Sequence, residues 1–333
     1  SLTIDSPSLI IAYDRLFGGP LPLGIFDIDH ADSALFVGTN PVVSHQWTMP
    51  QSNPMTRMKN ALKRGMRLVV IDPRKSDLAE RAHVHLQVKP GEDATLLACM
   101  IREIIDNDWH DAQYVADYAS GFEALYEAVK PFTLEYAEHR TTCPAADIVE
   151  AARLFATAGS GAAASGTGLH MARHQNLTTQ LVQTLNALCG RFDRRGGMAR
   201  IAGTQGPALP DSGNEPLPVA LRTAQRSRMR DIQGITGLFG YQEMPTNTLT
   251  DEILTPGKGQ IKALIVNGGN PALVFSDTDH TLKALAELDL LVVNDLFMSA
   301  TAKHADYVMA VKHPFERVDI PMLSDNYFPF SFS

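Results

Sequence analysis

The sequence is poor in cysteine, in long apolar runs and in clustered positive charge, and each shortage removes a class of function. Its three cysteines, Cys99, Cys143 and Cys189, lie more than forty residues apart. No Cys-x-x-Cys pair therefore exists to hold zinc or an iron–sulfur cluster by local spacing, and the thiols read as buried side chains. No stretch of about 18 apolar residues is present to span a bilayer. The start, SLTIDSPSLI, has no basic region followed by a cleavable apolar run, so nothing marks export and a cytoplasmic location is expected. A formal charge of -8 with no Lys/Arg run argues against a nucleic-acid groove. No Gly-x-Gly-x-x-Gly follows an expected strand, which counts against an ordinary nicotinamide or flavin Rossmann unit. Ser165-Gly166-Thr167-Gly168 carries only two of those glycines.

What is present is a globular composition, 44% hydrophobic and 20% charged over 333 residues, enough for two domains that each bury a core. Short apolar runs alternate with helical stripes, which implies an α/β fold of mostly parallel sheets with helices on both faces. Ser33 to Val37 ends at Gly38 as a buried strand does. Pro54 to Arg64 reads as a helix stopped by Gly65 and followed by the strand Leu68 to Ile71. From Asp93, residues Leu96, Leu97, Met100, Ile101, Ile104 and Ile105 share one helical face. The segment AAASGTGLH reads as a strand entering a glycine turn, and Leu177, Leu181, Leu185 and Leu188 form a later helical stripe. Residues 203 to 260, rich in Gly, Pro, Thr and Gln, read as long loops with some helix.

Two passages of the chain match each other. The first reads LFVGTNP (35–41), a helix, then LVVIDPRKSDLAERAHVHLQV (68–88). The second reads LIVNGGNP (264–271), a helix, then LVVNDLFMSATAKHADYVMAV (291–311). In each, a hydrophobic strand ends in a glycine–asparagine–proline elbow and the next strand ends in an aspartate, Asp72 or Asp295. Ligands of doubly wound sheets bind at the carboxyl ends of strands, where glycine lets backbone approach a phosphate. An aspartate there can accept two hydrogen bonds from a ribose diol or a guanine edge. Taken singly, the elbow is also an ordinary turn and the aspartate an ordinary cap. The duplication favours two nucleotide moieties.

These residues resemble the molybdopterin oxidoreductases related to dimethyl sulfoxide reductase and formate dehydrogenase. The resemblance rests on VGTNPVVSH (37–45), on VVIDPRKSDLAERAHVHLQVKPGEDATL (69–96), and on NGGNP with NDLFMSATAKHADYVMAVKHPFERVDIP (294–321). It extends through GTGLHMARHQNLTTQLVQTLNALCGRFDRRGG (166–197) and covers most of the chain. It implies two pseudo-symmetric Rossmann-like lobes, residues 1–200 and an incomplete 201–333, each holding one molybdopterin guanine dinucleotide, with molybdenum or tungsten between the paired dithiolenes. Motif by motif, it places Gly38, Asn40, Pro41, Ser44 and His45 near a pyrophosphate or pterin, and Asp72 and Arg74 near a guanosine. Gly91 and Asp93 match the family's Pro-Gly-Thr-Asp segment, with Glu92 in place of the threonine. Gly269, Asn270 and Pro271 take the pterin-side role in the second lobe and Asp295 the guanine role. Gly166, Gly168 and His170 line the cleft.

The same resemblance implies an iron–sulfur domain upstream of residue 1, a closing barrel domain beyond residue 333, and an electron-transfer subunit as a possible partner. Ile4 falls where formate dehydrogenases carry cysteine or selenocysteine, Asp5 where they carry histidine, and a residue near Ala202 where they carry arginine. Formate oxidation is therefore disfavoured. Asp5 stands as the candidate metal ligand, and Asp5, Ser6 and His170 as the candidate catalytic side chains, with helix capping the rival role for the first two. The expected function is two-electron redox on an unknown substrate. A cofactor-free scaffold, like the large iron–sulfur subunit of respiratory complex I, is the rival from another class, and a nicotinamide dehydrogenase the third. The missing glycine fingerprint predicts a flat titration of this chain with NAD; saturable binding in calorimetry would restore the dehydrogenase.

Overall fold

The computed structural model describes residues 2–17, 24–44, 49, 53–200, 225–236 and 242–318. His45 and Ala202 lie outside the described residues. Contacts divide the chain into two compact units, one from residue 8 onward through the described residues to 200, the other made of residues 2–7 and the described residues from 225 to 318.

Continuous apolar runs suit strands covered on both faces, and the first unit uses them so. Four parallel strands, Ser33–Val37, Arg67–Ile71, Val84–Leu86 and Gly161–Ser165, form one sheet in the spatial order third, second, first, fourth. Side chains alternate across it. Leu35, Val37, Val69 and Ile71 face a core built with helices Asp93–Asp106, Ala145–Ala156 and Gln175–Leu188. Phe36, Leu68 and Val70 face the other core, against Met58 and Ala61 of the helix Pro54–Arg64. The expected stripe from Leu96 to Ile105 is buried throughout. In the later helix Leu181, Leu185 and Leu188 are buried, whereas Leu177 in its first turn is about half exposed.

Strand Gly161–Ser165 is at the end of this sheet, where an unpaired backbone edge needs a partner. Asn186, fully buried on the Gln175–Leu188 helix, supplies it: its Oδ1 accepts from Ala163 N at 2.8 Å and its Nδ2 donates to Ala163 O at 2.8 Å. One amide side chain thus stands in for a fifth strand.

The second unit repeats the pattern with three parallel strands, Ala263–Asn267, Leu290–Asp295 and Tyr307–Ala310, in the order third, second, first. Helix Thr278–Ala286 covers the face carrying Val266, Leu291 and Val293. The opposite face carries Ile265, Tyr307 and Met309, exposed by 64%, 66% and 54%, and no described element covers them. Residues 2–7 belong here, whereas the sequence reading had set them in the first lobe. The cause is local bonding: Thr3 N donates to Glu243 Oε2 at 3.3 Å, and Thr3 Oγ1 donates to Met244 O at 3.3 Å.

Replacing Asn186 by Leu keeps the volume and leaves a buried N–H and C=O at Ala163 without partners. The variant is expected to lose roughly 2 to 4 kcal/mol, read as a drop in the urea midpoint followed by circular dichroism. An unchanged midpoint would remove Asn186 as the edge partner.

Candidate cofactor-binding site

The backbone hydrogen bonds of the two elbows coincide. Gly38 N donates to Ile71 O at 2.9 Å and Gly268 N to Asn294 O at 2.8 Å, and the two glycines have φ of 56° and 57°. After them, Asn40 O accepts from Val43 N and Ser44 N at 3.0 and 2.9 Å, and Asn270 O from Leu273 N and Val274 N at 2.9 and 3.1 Å. Asp72 Oδ1 accepts from Arg74 N at 2.8 Å, as Asp295 Oδ1 does from Phe297 N at 3.2 Å. Ser76 and Ser299 cap Ala79 and Ala302 at 3.3 and 3.2 Å. The repeat seen in the letters is a repeat of geometry. Both elbows and both aspartates stand at the carboxyl rims of their sheets, and both aspartates are half-buried, outside the apolar interior.

In the first unit the strand order reverses between Ser33–Val37 and Gly161–Ser165, the switch point where doubly wound sheets open a crevice. There the turns after the two strands cross. A Cβ on Gly38 would meet Leu169 N at 2.7 Å, one on Gly168 would meet Gly38 O at 2.8 Å, and one on Gly166 would meet Thr39 Oγ1 at 2.5 Å. Packing of chain on chain is thus sufficient to require these three glycines. His170 follows directly, 4% exposed, its Nε2 2.9 Å from Ser165 Oγ.

Asp93 opens the Asp93–Asp106 helix beside this rim. Burial pushes its carboxyl above the usual carboxylate range and the negative charge of Asp72 adds to the rise, while hydrogen bonds from the N–H groups of Asp93 and Gly91 oppose it. Arg74 is exposed. Two oxygens nearby are left over: Thr39 Oγ1 and Asn40 Oδ1 are buried and have no hydrogen-bond partner among the described residues.

In the second unit the elbow borders a cleft of about 910 Å³, with walls that include Leu264, Val266, Gly269, Asn270, Met244 and Leu249. A Cβ on Gly269 would touch nothing closer than Val266 Cγ1 at 3.5 Å, so its own chain does not require a glycine there. Asp295 is absent from the walls of this cleft. Asn270 Oδ1, unlike that of Asn40, accepts from Thr301 N at 3.1 Å and Thr301 Oγ1 at 2.8 Å. Ile4 lines the cleft as well, while the next residue, Asp5, is exposed and accepts from Ser6 Oγ at 3.3 Å. No group of three His, Cys, Asp or Glu side chains able to hold a metal ion exists among the described residues. The three cysteines are buried and free, and burial raises the Cys99 and Cys189 thiols to about 12, which leaves them inert.

The sequence reading missed Thr39, Asn186 and Thr301. The repeat held a signal for two of them: Thr39 stands where the second passage has Gly269, and Thr301 where the first passage has Leu78.

A family model described as molybdopterin oxidoreductase matches residues 11–325. The chain belongs to the molybdopterin oxidoreductase family. It is 29% identical to acetylene hydratase of Syntrophotalea acetylenica over 314 residues, 88% of this chain and 42% of that protein. It is 27% identical to formate dehydrogenase H of Escherichia coli over 315 residues, 91% of this chain and 42% of that one. Among solved structures, acetylene hydratase from Pelobacter acetylenicus superposes with a TM-score of 0.76 at 24% identity, over 95% of this chain and 45% of that chain. The chain therefore spans less than half the length of these relatives. Membership implies a molybdopterin cofactor carrying molybdenum or tungsten. The residues present fit a polar ligand of that kind: the rim of the first sheet offers two buried oxygens without donors among the described residues, and the second elbow borders a cleft.

The raised carboxyl of Asp93 sets a sign for stability. A folded state that holds the proton more tightly than the unfolded one gains below the ordinary value of 3.8 and loses that gain as pH rises through the raised value. Asp93→Asn is expected to melt higher than the wild type at neutral pH, with the difference closing once the pH falls below 3.8. Melting curves at the two pH values decide it; a variant less stable at neutral pH would show the ionised carboxylate to be supported.

Proposed function

We propose that this chain is the central cofactor-holding part of a molybdenum or tungsten oxidoreductase that carries two molybdopterin guanine dinucleotides and performs two-electron chemistry on a substrate still to be identified. The observation that carries the reading is the duplicated rim, with a glycine elbow and an aspartate in the same bonding state in each unit. Asp72 and Asp295 each give one oxygen to their own turn, which leaves Oδ2 as an acceptor for the N–H edge of a guanine. In the first unit Gly38, Asn40, Pro41 and Ser44 take the pyrophosphate or pterin side, and Arg74 with the Gly91–Asp93 turn takes the guanosine side. In the second unit the elbow Gly269–Asn270–Pro271 takes the pterin side. When bound, the cofactor supplies a metal that exchanges two electrons with the substrate. The chain's own part is to fix the nucleotide ends and to shape the electrostatics around them.

His170, buried against Ser165, is assigned a supporting place behind the switch point and no proton transfer to substrate. Asp5 is the candidate protein ligand to the metal, with Ser6 its neighbour. An iron–sulfur domain, a closing barrel domain and an electron-transfer subunit complete the proposed enzyme. A cytoplasmic location is part of the proposal; no helix among the described residues is long and apolar enough to cross a membrane.

The full-length protein purified from its host is expected to contain molybdenum or tungsten by plasma mass spectrometry and to release two GMP per metal on acid hydrolysis. One GMP per metal would leave a single dinucleotide. Neither metal nor GMP would replace the enzyme by the cofactor-free scaffold.

A further inference from the structure

The two asparagines of the repeat occupy equivalent turns, yet their side chains are in opposite states. Asn270 Oδ1 accepts two hydrogen bonds from Thr301, through N at 3.1 Å and Oγ1 at 2.8 Å. Thr301 is fully buried, and its Oγ1 in turn accepts from Ala272 N at 3.1 Å. Asparagine, threonine and the start of the segment Pro271–Val274 thereby close into one network. In the first unit the position of Thr301 is taken by Leu78, 2% exposed, which has no side-chain donor. Asn40 Oδ1 is left buried without a partner among the described residues. Its neighbour Thr39 is 6% exposed, its Oγ1 likewise has none, and it packs against Gly166 at the switch point.

Folded proteins leave few buried polar atoms unpaired, so two adjacent ones at a crevice call for a missing donor and acceptor. The same atoms cannot serve in the second unit, because there the oxygen is already doubly bonded. We propose that the two elbows have diverged in role. The side chain of Asn270 is a structural clasp with Thr301 that positions Gly269 and the cleft wall, whereas Asn40, with Thr39, is the side chain that hydrogen-bonds the ligand. Asn40 Oδ1 takes an N–H or O–H donor, of the kind a pterin ring or a ribose carries, and the Thr39 hydroxyl pairs with a polar atom beside it. The ligand half of this inference rests on the cofactor reading above; the clasp half does not.

The test uses the full-length protein, made both in its normal host and in a strain unable to make the cofactor. Guanine nucleotide retained after gel filtration is measured on the first preparation and melting temperature on the second. Asn40→Ala is expected to lower retained nucleotide about tenfold, the factor that about 1.4 kcal/mol gives, and to leave the cofactor-free melting temperature unchanged or higher. Asn270→Ala is expected to lower that melting temperature by roughly 2 to 4 °C. Thr301→Val, which removes the hydroxyl at constant shape, is expected to lower it in the same direction, and Asn270→Asp, which keeps the acceptor, to restore it. Should Asn270→Ala fail to fold, Thr301→Val carries the same arm. The proposal is overturned if Asn40→Ala melts as low as the clasp variants, if it retains the full nucleotide complement, or if Thr301→Val melts as the wild type does. A wild type that holds no guanine nucleotide removes the cofactor reading and Asn40's ligand role together, and the melting arm still decides the clasp.

Discussion

The asparagine of each elbow is delivered by a backbone that turns left-handed at the end of a parallel strand. Gly38 and Gly268 extend the ladder by one bond, to Ile71 O and Asn294 O, and then swing away at φ near +57°. Side chains with a Cβ rarely adopt that conformation. The residues that follow are therefore fixed at the carboxyl rim, where a parallel sheet leaves its crevice. In the first unit the same glycine also passes against Gly168 and Leu169 of the neighbouring turn. One position thus sets both where Thr39 and Asn40 sit and how closely the two halves of the crevice approach.

Much of this was legible in the letters because the signals were local or periodic. Apolar runs gave the strands, spacing gave the 93–106 helix, and the repeat gave both elbows and both aspartates. What was not legible depends on contacts across the chain. Asn186 sits in a helical stripe like any other polar residue, and only the sheet edge at Ala163 shows what it bonds. Gly166 and Gly168 read as cleft-lining glycines, while their neighbours show a steric need met by the chain itself. Leu35 and Ile265 are equivalent apolar residues in the repeat, yet one is fully buried and the other 64% exposed. The difference is the set of helices between residues 93 and 188, which covers the first sheet and has no described counterpart over the second.

Comparison inside the repeat separates what a backbone needs from which residue supplies it. Leu68 N and Leu291 N, both near the starts of their strands, each need an acceptor. His83 Nδ1 provides one at 3.0 Å and Asp306 Oδ2 the other at 2.7 Å. An imidazole nitrogen that accepts a hydrogen bond must be unprotonated. Burial, assisted by the positive charge of Arg67, lowers the His83 pKa and favours that form. A neutral ring and a carboxylate therefore do the same work, and the two sequences differ there without the fold differing.

The aspartates at the rims behave otherwise. Their turns require one acceptor for the N–H two residues ahead, a task that Asn or Ser side chains also perform. The repeat exchanges His for Asp at one acceptor position and Leu for Thr at another, so its two copies have drifted at these positions while the strands and turns stay the same. At 72 and 295 both keep a carboxylate, half-buried, with its second oxygen unused by the turn. The guanine edge proposed above, with its paired N–H donors, would use that oxygen in both units, a task the turn itself does not set.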